Sequence, residues 1–479
     1  MSTLRLHSAA GRWILAASVL GSGAVFLEGS VVNVALPAIA RDFHVGVVGL
    51  QWVLNGYYLT LSALMLLGGA LGDRFHRPRV FAIGCLAFAI ASTGCALAPN
   101  LVMLVGLRVV QGAAGALLVP NSLAMLDTAF DGEERGSAIG QWAAWSAVST
   151  AGGPFLGGWL VDALSWRWVF SGVVVFAIVA AWIVTANRSS FGGARAAAGR
   201  SRGHGIDYAG AALGTLALAG LVGALMAGPV TGFGDWRVLL ALIGGAALLA
   251  AFIAFERWLS RRGAQPILEL SIFRSRQFSG VNAATFLVYA ALNGLFFLMM
   301  PQLQLNLGYS ALKAGAALSP ANVIMLAVSP IAGRASTRIG ARALMTSGAA
   351  IAAVGMLLFA RVQPGTSYLG TTLPATIVFG FGLALLVAPL TSTVLGAVKA
   401  SDTGIASGIN NAVARLAGLI ATAALPLAAG IGGEAKLAGA AFARGYARAM
   451  IICAGLCAAG ALVSFLTVRR DRHSRKAGT

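Results

Sequence analysis

Two residues of opposite charge lie where an apolar sequence should hold neither. Glu28 interrupts a hydrophobic run that continues to Pro37, and Arg108 interrupts another that begins after Asn100. If both runs are helices, a rise of 1.5 Å per residue places Glu28 roughly 13 Å and Arg108 roughly 12 Å from the ends that share one side. The two groups then occupy one layer. A carboxylate facing a guanidinium is under opposed influences, because the neighbouring cation favours the ionised form and burial favours the acid. A group balanced in this way can take up or release a proton according to which side admits water. Arginine does not give up its proton, so Glu28 is the candidate proton carrier and Arg108 the group that tunes it. The alternative is a permanent ion pair that pins two helices together.

A third charge, Arg415, stands roughly 15 Å into a later apolar run that starts near Gly404. A cavity holding two arginines against one carboxylate could favour anionic or neutral amphiphiles over cations; equally, Arg415 could bond backbone carbonyls at a helix interface. Asn33, Tyr57, Gln111, Asn293, Phe296 and Phe297 could line such a cavity, since a mostly apolar wall with few polar anchors accepts many amphiphiles. Taken singly, each of them also suits core packing or a lipid-facing position. Ser149, Gly153 and Gly157 recur every four residues, a smooth face for close helix approach, and Pro154 beside them permits bending. That face suits a gating contact, or close packing alone. Cys85, Cys95, Cys453 and Cys457 all lie in apolar stretches and read as small buried residues. There is no phosphate-binding Walker loop and no His/Cys/Asp spacing for a metal, so no enzyme chemistry and no cofactor is expected.

The elements that carry these residues follow from composition. Of 479 residues 58% are hydrophobic and only 10% charged, with mean hydropathy +0.83. Soluble chains carry roughly a quarter charged residues, so the chain is an all-α integral membrane protein. Fourteen apolar segments can be drawn, near 13–37, 48–71, 79–98, 101–126, 137–161, 168–187, 208–227, 237–255, 279–300, 314–333, 343–360, 370–397, 405–431 and 446–467. Each is continuously apolar, without the alternation of a membrane strand. The first of them reads as a retained helix rather than a cleaved leader. With the N-terminus inside, 24 of the 34 Lys and Arg residues fall in cytoplasmic segments and 8 in outer loops. That bias places both termini in the cytoplasm. It also accounts for the net charge of +19 without a nucleic-acid partner. The segment 188–205 has a flexible linker's composition. The loop 257–278 mixes arginines with apolar residues and could be a surface amphipathic helix or a plain tether. Trp142 and Trp145, near the inner end of the fifth span, suit anchoring at the membrane interface.

An internal repeat joins the two ends of the chain. Gly69-Ala-Leu-Gly-Asp73-Arg74-Phe-His76-Arg77 aligns without gaps on the loop Gly333-Arg-Ala-Ser-Thr337-Arg338-Ile-Gly340-Ala-Arg342, starting from Gly69 on Gly333, and Gln111 to Pro120 resembles Phe379 to Pro389. Spans 1–6 and 9–14 are therefore two copies with spans 7 and 8 inserted between them. The expected organisation is a six-helix half over 1–187, an insert over 188–278, and a second six-helix half with a basic tail over 279–479, in a 6+2+6 arrangement. The Asp73, Arg74, Arg77 loop would fix helix ends by charge pairing and so stabilise one access state.

The loop starting at Gly69 resembles the signature loop of the major facilitator superfamily. Trp166-Arg167-Trp168-Val169-Phe170 and the stretch from Leu27 through Asn33 to Pro37 are similar to its fourteen-spanner drug:proton antiporter branch, the EmrB/QacA type. Ser149-Thr-Ala-Gly-Gly153-Pro154-Phe-Leu-Gly157-Gly158 looks like that branch's antiporter motif, and Pro266 to Arg274 and Ser407 to Asn411 extend the likeness. The resemblance implies the same roles for Glu28 and Arg108, and a partner in the second half for the face of span 5. This chain departs from the pattern at four places: Glu28 replaces an aspartate, His76 a loop glycine, Ser149 the first glycine of the antiporter motif, and Thr337 the acid of the repeated loop. The expectation is a major facilitator fold in the cell membrane, driven by the proton gradient. The same expectation covers export of small amphipathic compounds, as in multidrug efflux, with substrate, protons and lipid as partners, and a monomer for which a partner spanning the envelope is neither inferred nor excluded. In the expected cycle, protonation of Glu28 from outside releases substrate and weakens its pair with Arg108; deprotonation toward the cytoplasm restores the site. The rivals are a dedicated exporter of one metabolite or antibiotic, and a non-transporting scaffold or sensor.

Overall fold

The computed structural model describes residues 5–187, 191, 207–262, 270–398, 403–431 and 437–469. Nearly all of the expected linker at 188–205 and the stretch 266–269 lie outside these residues. Fourteen helices of 19 residues or more follow one another along the described chain. The first eight are α1 (Ala9–Phe43), α2 (Val47–Phe75), α3 (Arg77–Leu97), α4 (Leu101–Ala129), α5 (Gly132–Ala163), α6 (Arg167–Ala186), α7 (Tyr208–Thr231) and α8 (Trp236–Arg261). The last six are α9 (Arg276–Pro301), α10 (Ser319–Ile339), α11 (Ala341–Phe359), α12 (Leu373–Gly396), α13 (Thr403–Ala428) and α14 (Ala440–Thr467). Among the described residues twelve helices are long and apolar enough to cross a membrane, or up to thirteen if the bent pair within α2 is one span. The fourteen-span expectation is thus met only in part by hydropathy. At 32 residues α5 is long enough, but Gly, Ser and Gln dilute its apolar content. Of the expected loop 257–278, residues 257–261 end α8, and a short 3-10 turn over Leu270–Arg274 precedes α9 among the described residues.

The chain divides into two compact units, Met1–Ile267 and Leu268–Thr479. In the first, α2 and α4 pack closely, α1 lies against α5 and α6, and α3 against α4 and α6. The helices α7 and α8 pair with each other and reach the rest of this unit through α2, where Asn55 Nδ2 contacts Met226 Sδ at 3.2 Å. In the second unit α9 packs on α13 and α14, and α11 on α12 and α14. On α8 only Val238, Gly245 and Glu256 are buried. Trp236 and Trp258 stand exposed near its ends, roughly 33 Å apart along the axis. That spacing matches a hydrocarbon layer of about 30 Å with tryptophans at both interfaces.

The repeat is visible in the backbone. His76, between α2 and α3, has φ 76°, and its aligned partner Gly340, between α10 and α11, has φ 92°. Glycine adopts this region freely, whereas a histidine there carries strain of about 1–3 kcal/mol.

Candidate functional site

The first unit brings Glu28 and Arg108 together. Both side chains are 0% exposed, and Arg108 NH1 donates to Glu28 Oε1 at 2.7 Å. α1 presents the acid, and α4, started by Asn100 whose side chain accepts from the Met103 N–H, presents the base. Arg108 also donates from Nε to the Val53 carbonyl of α2 (3.0 Å) and from NH1 to Gln111 Oε1 (2.6 Å). Gln111 passes the chain to α3, its Nε2 donating to Ser92 Oγ at 2.7 Å. The guanidinium lies 4.2 Å from the centre of the Tyr57 ring and 5.7 Å from that of Phe170 on α6. Five helices therefore converge on one arginine.

The pair is monodentate. Glu28 Oε2 and Arg108 NH2 are buried without a hydrogen bond among the described residues. Arginine can grip a carboxylate through two parallel bonds; here one bond holds the acid while three other groups hold the base. Removing the charge of Glu28 would thus leave Arg108 seated.

The adjacent tyrosines of α2 fix the backbone around Glu28. Tyr57 donates its hydroxyl to the Val25 carbonyl (3.1 Å) and Tyr58 to the Gly29 carbonyl (2.7 Å), one residue on each side of a helical turn that contains the acid. Tyr57 and Gln111, expected as cavity lining, are instead fully buried in this network, and Phe297 on α9 is 1% exposed. Asn33 bonds its own helix at Gly29 and is half-buried. In the second unit Asn293 donates to the Tyr289 carbonyl at 2.8 Å, while Phe296 on α9 and Arg415 on α13 are half-buried.

The small-residue face of α5 meets α1 within this unit. A side chain at Gly153 would collide with Ser30, and one at Gly157 with Val31. Ser149 Oγ lies 3.2 Å from where Gly23 would carry a Cβ. Within the first unit these three residues meet α1, the helix that bears Glu28. Pro154 and Gly158 are buried beside them.

Charges tie helix ends on both sides of the unit. Arg77 donates from Nε to Asp73 Oδ1 (2.8 Å) and from NH1 to the Ala124 carbonyl of α4 (3.0 Å), while the exposed Arg74 guanidinium lies 5.6 Å from the Phe75 ring. Gly69 faces Pro120 of α4 with room for a side chain, whereas one at Gly68 or Gly72 would collide with Ala116 or Asn121 of α4. At the other end Asp42 Oδ2 accepts from Trp166 Nε1 (3.0 Å) and Arg167 NH1 (2.8 Å). That explains the Trp-Arg-Trp stretch as a clamp on α1. Sequence reading missed Ser92, a single serine in an apolar helix with nothing to single it out. It also missed Glu256, which lies one residue past its expected span yet is 0% exposed, against Gly210 and Asp207 at the start of α7. Among the described residues no group of three His, Cys, Asp or Glu side chains could hold a metal.

The chain is a multi-pass membrane protein, helical in the main among its described residues, with a buried carboxylate–arginine pair in its first unit. The sequence profile of the Major Facilitator Superfamily matches residues 18–193 and 194–422. The multidrug resistance protein Stp of Mycobacterium tuberculosis is 32% identical over 417 residues, 86% of this chain and 74% of Stp. The puromycin resistance protein pur8 of Streptomyces alboniger is 34% identical over 419 residues, covering 86% of this chain and 80% of pur8. A crystal structure of a POT peptide transporter shares the fold, with a TM-score of 0.68 over 97% of this chain and 96% of that one at 12% identity. The chain belongs to the major facilitator superfamily. It is a secondary transporter, not an enzyme.

Proposed function

We propose that this transporter is a proton-coupled antiporter of the fourteen-span, EmrB/QacA-type branch, which exports small amphipathic compounds. The observation that carries the reading is the monodentate Glu28–Arg108 pair, sealed from solvent and held mainly from the arginine's side. Glu28 carries the proton. Arg108, seated by Val53, Gln111 and Tyr57, holds the deprotonated state and is released from it when the acid is neutralised. In this reading α2 and α5 complete the fourteen spans in a 6+2+6 order, and both termini lie in the cytoplasm. Asn33, Asn293, Phe296 and Arg415 are the substrate-facing candidates, while Tyr57 and Gln111 serve the coupling pair. The names of Stp and pur8 support drug-like cargo. The loop of Gly69, Asp73, Arg74 and Arg77 biases the access state.

The test is reconstitution into liposomes containing a pH dye, with cationic, neutral and anionic amphiphiles added to wild type and to Glu28→Gln. Proton movement that depends on an added compound and vanishes in the variant is the expected result. Unchanged coupling in Glu28→Gln would refute Glu28 as the carrier, and a wild type that moves neither protons nor any labelled compound would favour a scaffold.

A further inference from the structure

The two copies of the repeat differ at one corner. In the first unit the Arg77 side chain fills the angle between the ends of α2, α3 and α4, bonded to Asp73 and to the Ala124 carbonyl. In the second unit the aligned residue for Arg77 is Ala341, and for Asp73 it is Thr337. Ala124 stands four residues after Pro120, as Thr393 stands four after Pro389. Where the first unit holds a guanidinium, the second has a cavity of about 370 Å³, and both Ala341 and Thr393 are in its wall.

Half of the wall residues are small and apolar; the other half are polar, and one of them, Arg469, is positively charged. Besides those two residues it includes Gln277 from α9, Ser336 from α10, Ser392 from α12 and Arg469 just beyond α14. These are the helix ends that the Lys and Arg bias assigns to the cytoplasmic face. Among the described residues no acid lines the cavity. The three hydroxyls turn back onto their own helices, Ser336 to Gly333 and both Ser392 and Thr393 to the Pro389 carbonyl. Such local bonds are readily exchanged for a better acceptor. Along α14, next to Arg469, Leu462, Phe465 and Leu466 are exposed, and Arg342 lies 4.1 Å over the Phe465 ring. A hydrocarbon-facing strip thus runs up to the cavity.

We propose that this cavity seats the phosphate headgroup of an anionic phospholipid of the inner leaflet, with its acyl chains along the α14 strip. Basic pockets between membrane helices on the cytoplasmic side suit such headgroups. The site does not depend on the proton-coupling reading.

Native mass spectrometry of the purified full-length protein, titrated with phosphatidylglycerol, phosphatidylcholine or inorganic phosphate, tests it. Wild type should retain phosphatidylglycerol at least about fivefold better than phosphatidylcholine, and Arg469→Gln should lose about fivefold of that retention, the contribution of one arginine at an anionic surface. The double variant Thr337→Asp/Ala341→Arg, which rebuilds the first unit's arrangement, should abolish the preference. Should that variant not fold, the exposed Arg469→Gln still decides. Equal retention of the two lipids, or a preference untouched by Arg469→Gln, would overturn the proposal. So would displacement by inorganic phosphate at the concentration at which phosphatidylglycerol binds, which would make the cavity a free-anion site.

Discussion

Glu28 and Arg108 should be unequal partners in stability, and the inequality can be worked from their contacts. Glu28→Gln keeps an oxygen for Arg108 NH1 to bond and removes only the charge. The Arg108 cation is left without a counter-ion, but its bonds to Val53 and Gln111 and its contact with the Tyr57 ring remain, so the loss is set near that between a charge-assisted and a neutral hydrogen bond, about 1–2 kcal/mol. Arg108→Met does more. It strands a fully buried carboxylate, takes the donor from the Val53 carbonyl and Gln111 Oε1, and removes the cation from the Tyr57 face. Breaking a buried pair from one side costs about 3–5 kcal/mol. In the double variant no charge is left to strand, so its cost should fall short of the sum of the singles by about 2 kcal/mol. Equilibrium unfolding of the purified protein in mixed micelles, followed by tryptophan fluorescence, measures all three. The reasoning fails if Arg108→Met costs no more than Glu28→Gln, or if the single costs simply add.

Tyr57→Phe removes the bond to the Val25 carbonyl but keeps the ring under the guanidinium; it should cost about 1 kcal/mol and leave proton exchange in liposomes measurable. Tyr57→Leu also loses the cation–π contact and should reduce exchange to the level of Arg108→Met. Gly153→Val should force α5 off Ser30 and Val31 at about 1–3 kcal/mol, with efflux lost although the protein still reaches the membrane. Gly152→Val, where nothing lies within 4 Å, should preserve efflux in the same cells and serves as its control.

Much of this architecture was legible because a membrane permits few solutions. Continuous apolar runs must be helices, and charges inside them must find each other, so the Glu28–Arg108 contact followed from two depths alone. What the sequence concealed were relations between helices. Tyr57 and Gln111 have the chemistry of cavity residues, and only packing shows that they face Arg108 instead. Ser92 is indistinguishable from any serine that bonds its own helix until Gln111 is placed opposite it. Burial of Glu256 depends on α7 lying against α8, and a hydropathy window ends one residue too early to register it. Conversely α5 falls short on hydropathy because residues that let it approach α1 closely, Gly153 and Gly157 among them, add little apolar character.

α1 carries the coupling acid on the side that meets α4 and close backbone contacts on the side that meets α5. Glu28, Ser30 and Val31 lie within a single turn of this helix, so neither side can shift without the other. A Cβ at Gly153 has no room, which means that α5 cannot slide along α1 without a change at Ser30. The hydroxyls of Tyr57 and Tyr58 meanwhile hold the carbonyls of Val25 and Gly29 to α2. Neutralising Glu28 frees the one bond on the acid's side, but the tyrosines and the glycine contacts remain. On the proposed antiport reading the helix would therefore respond as a rigid body: a proton on Glu28 would release α1 from Arg108, and the glycine contacts would make α5 move with it.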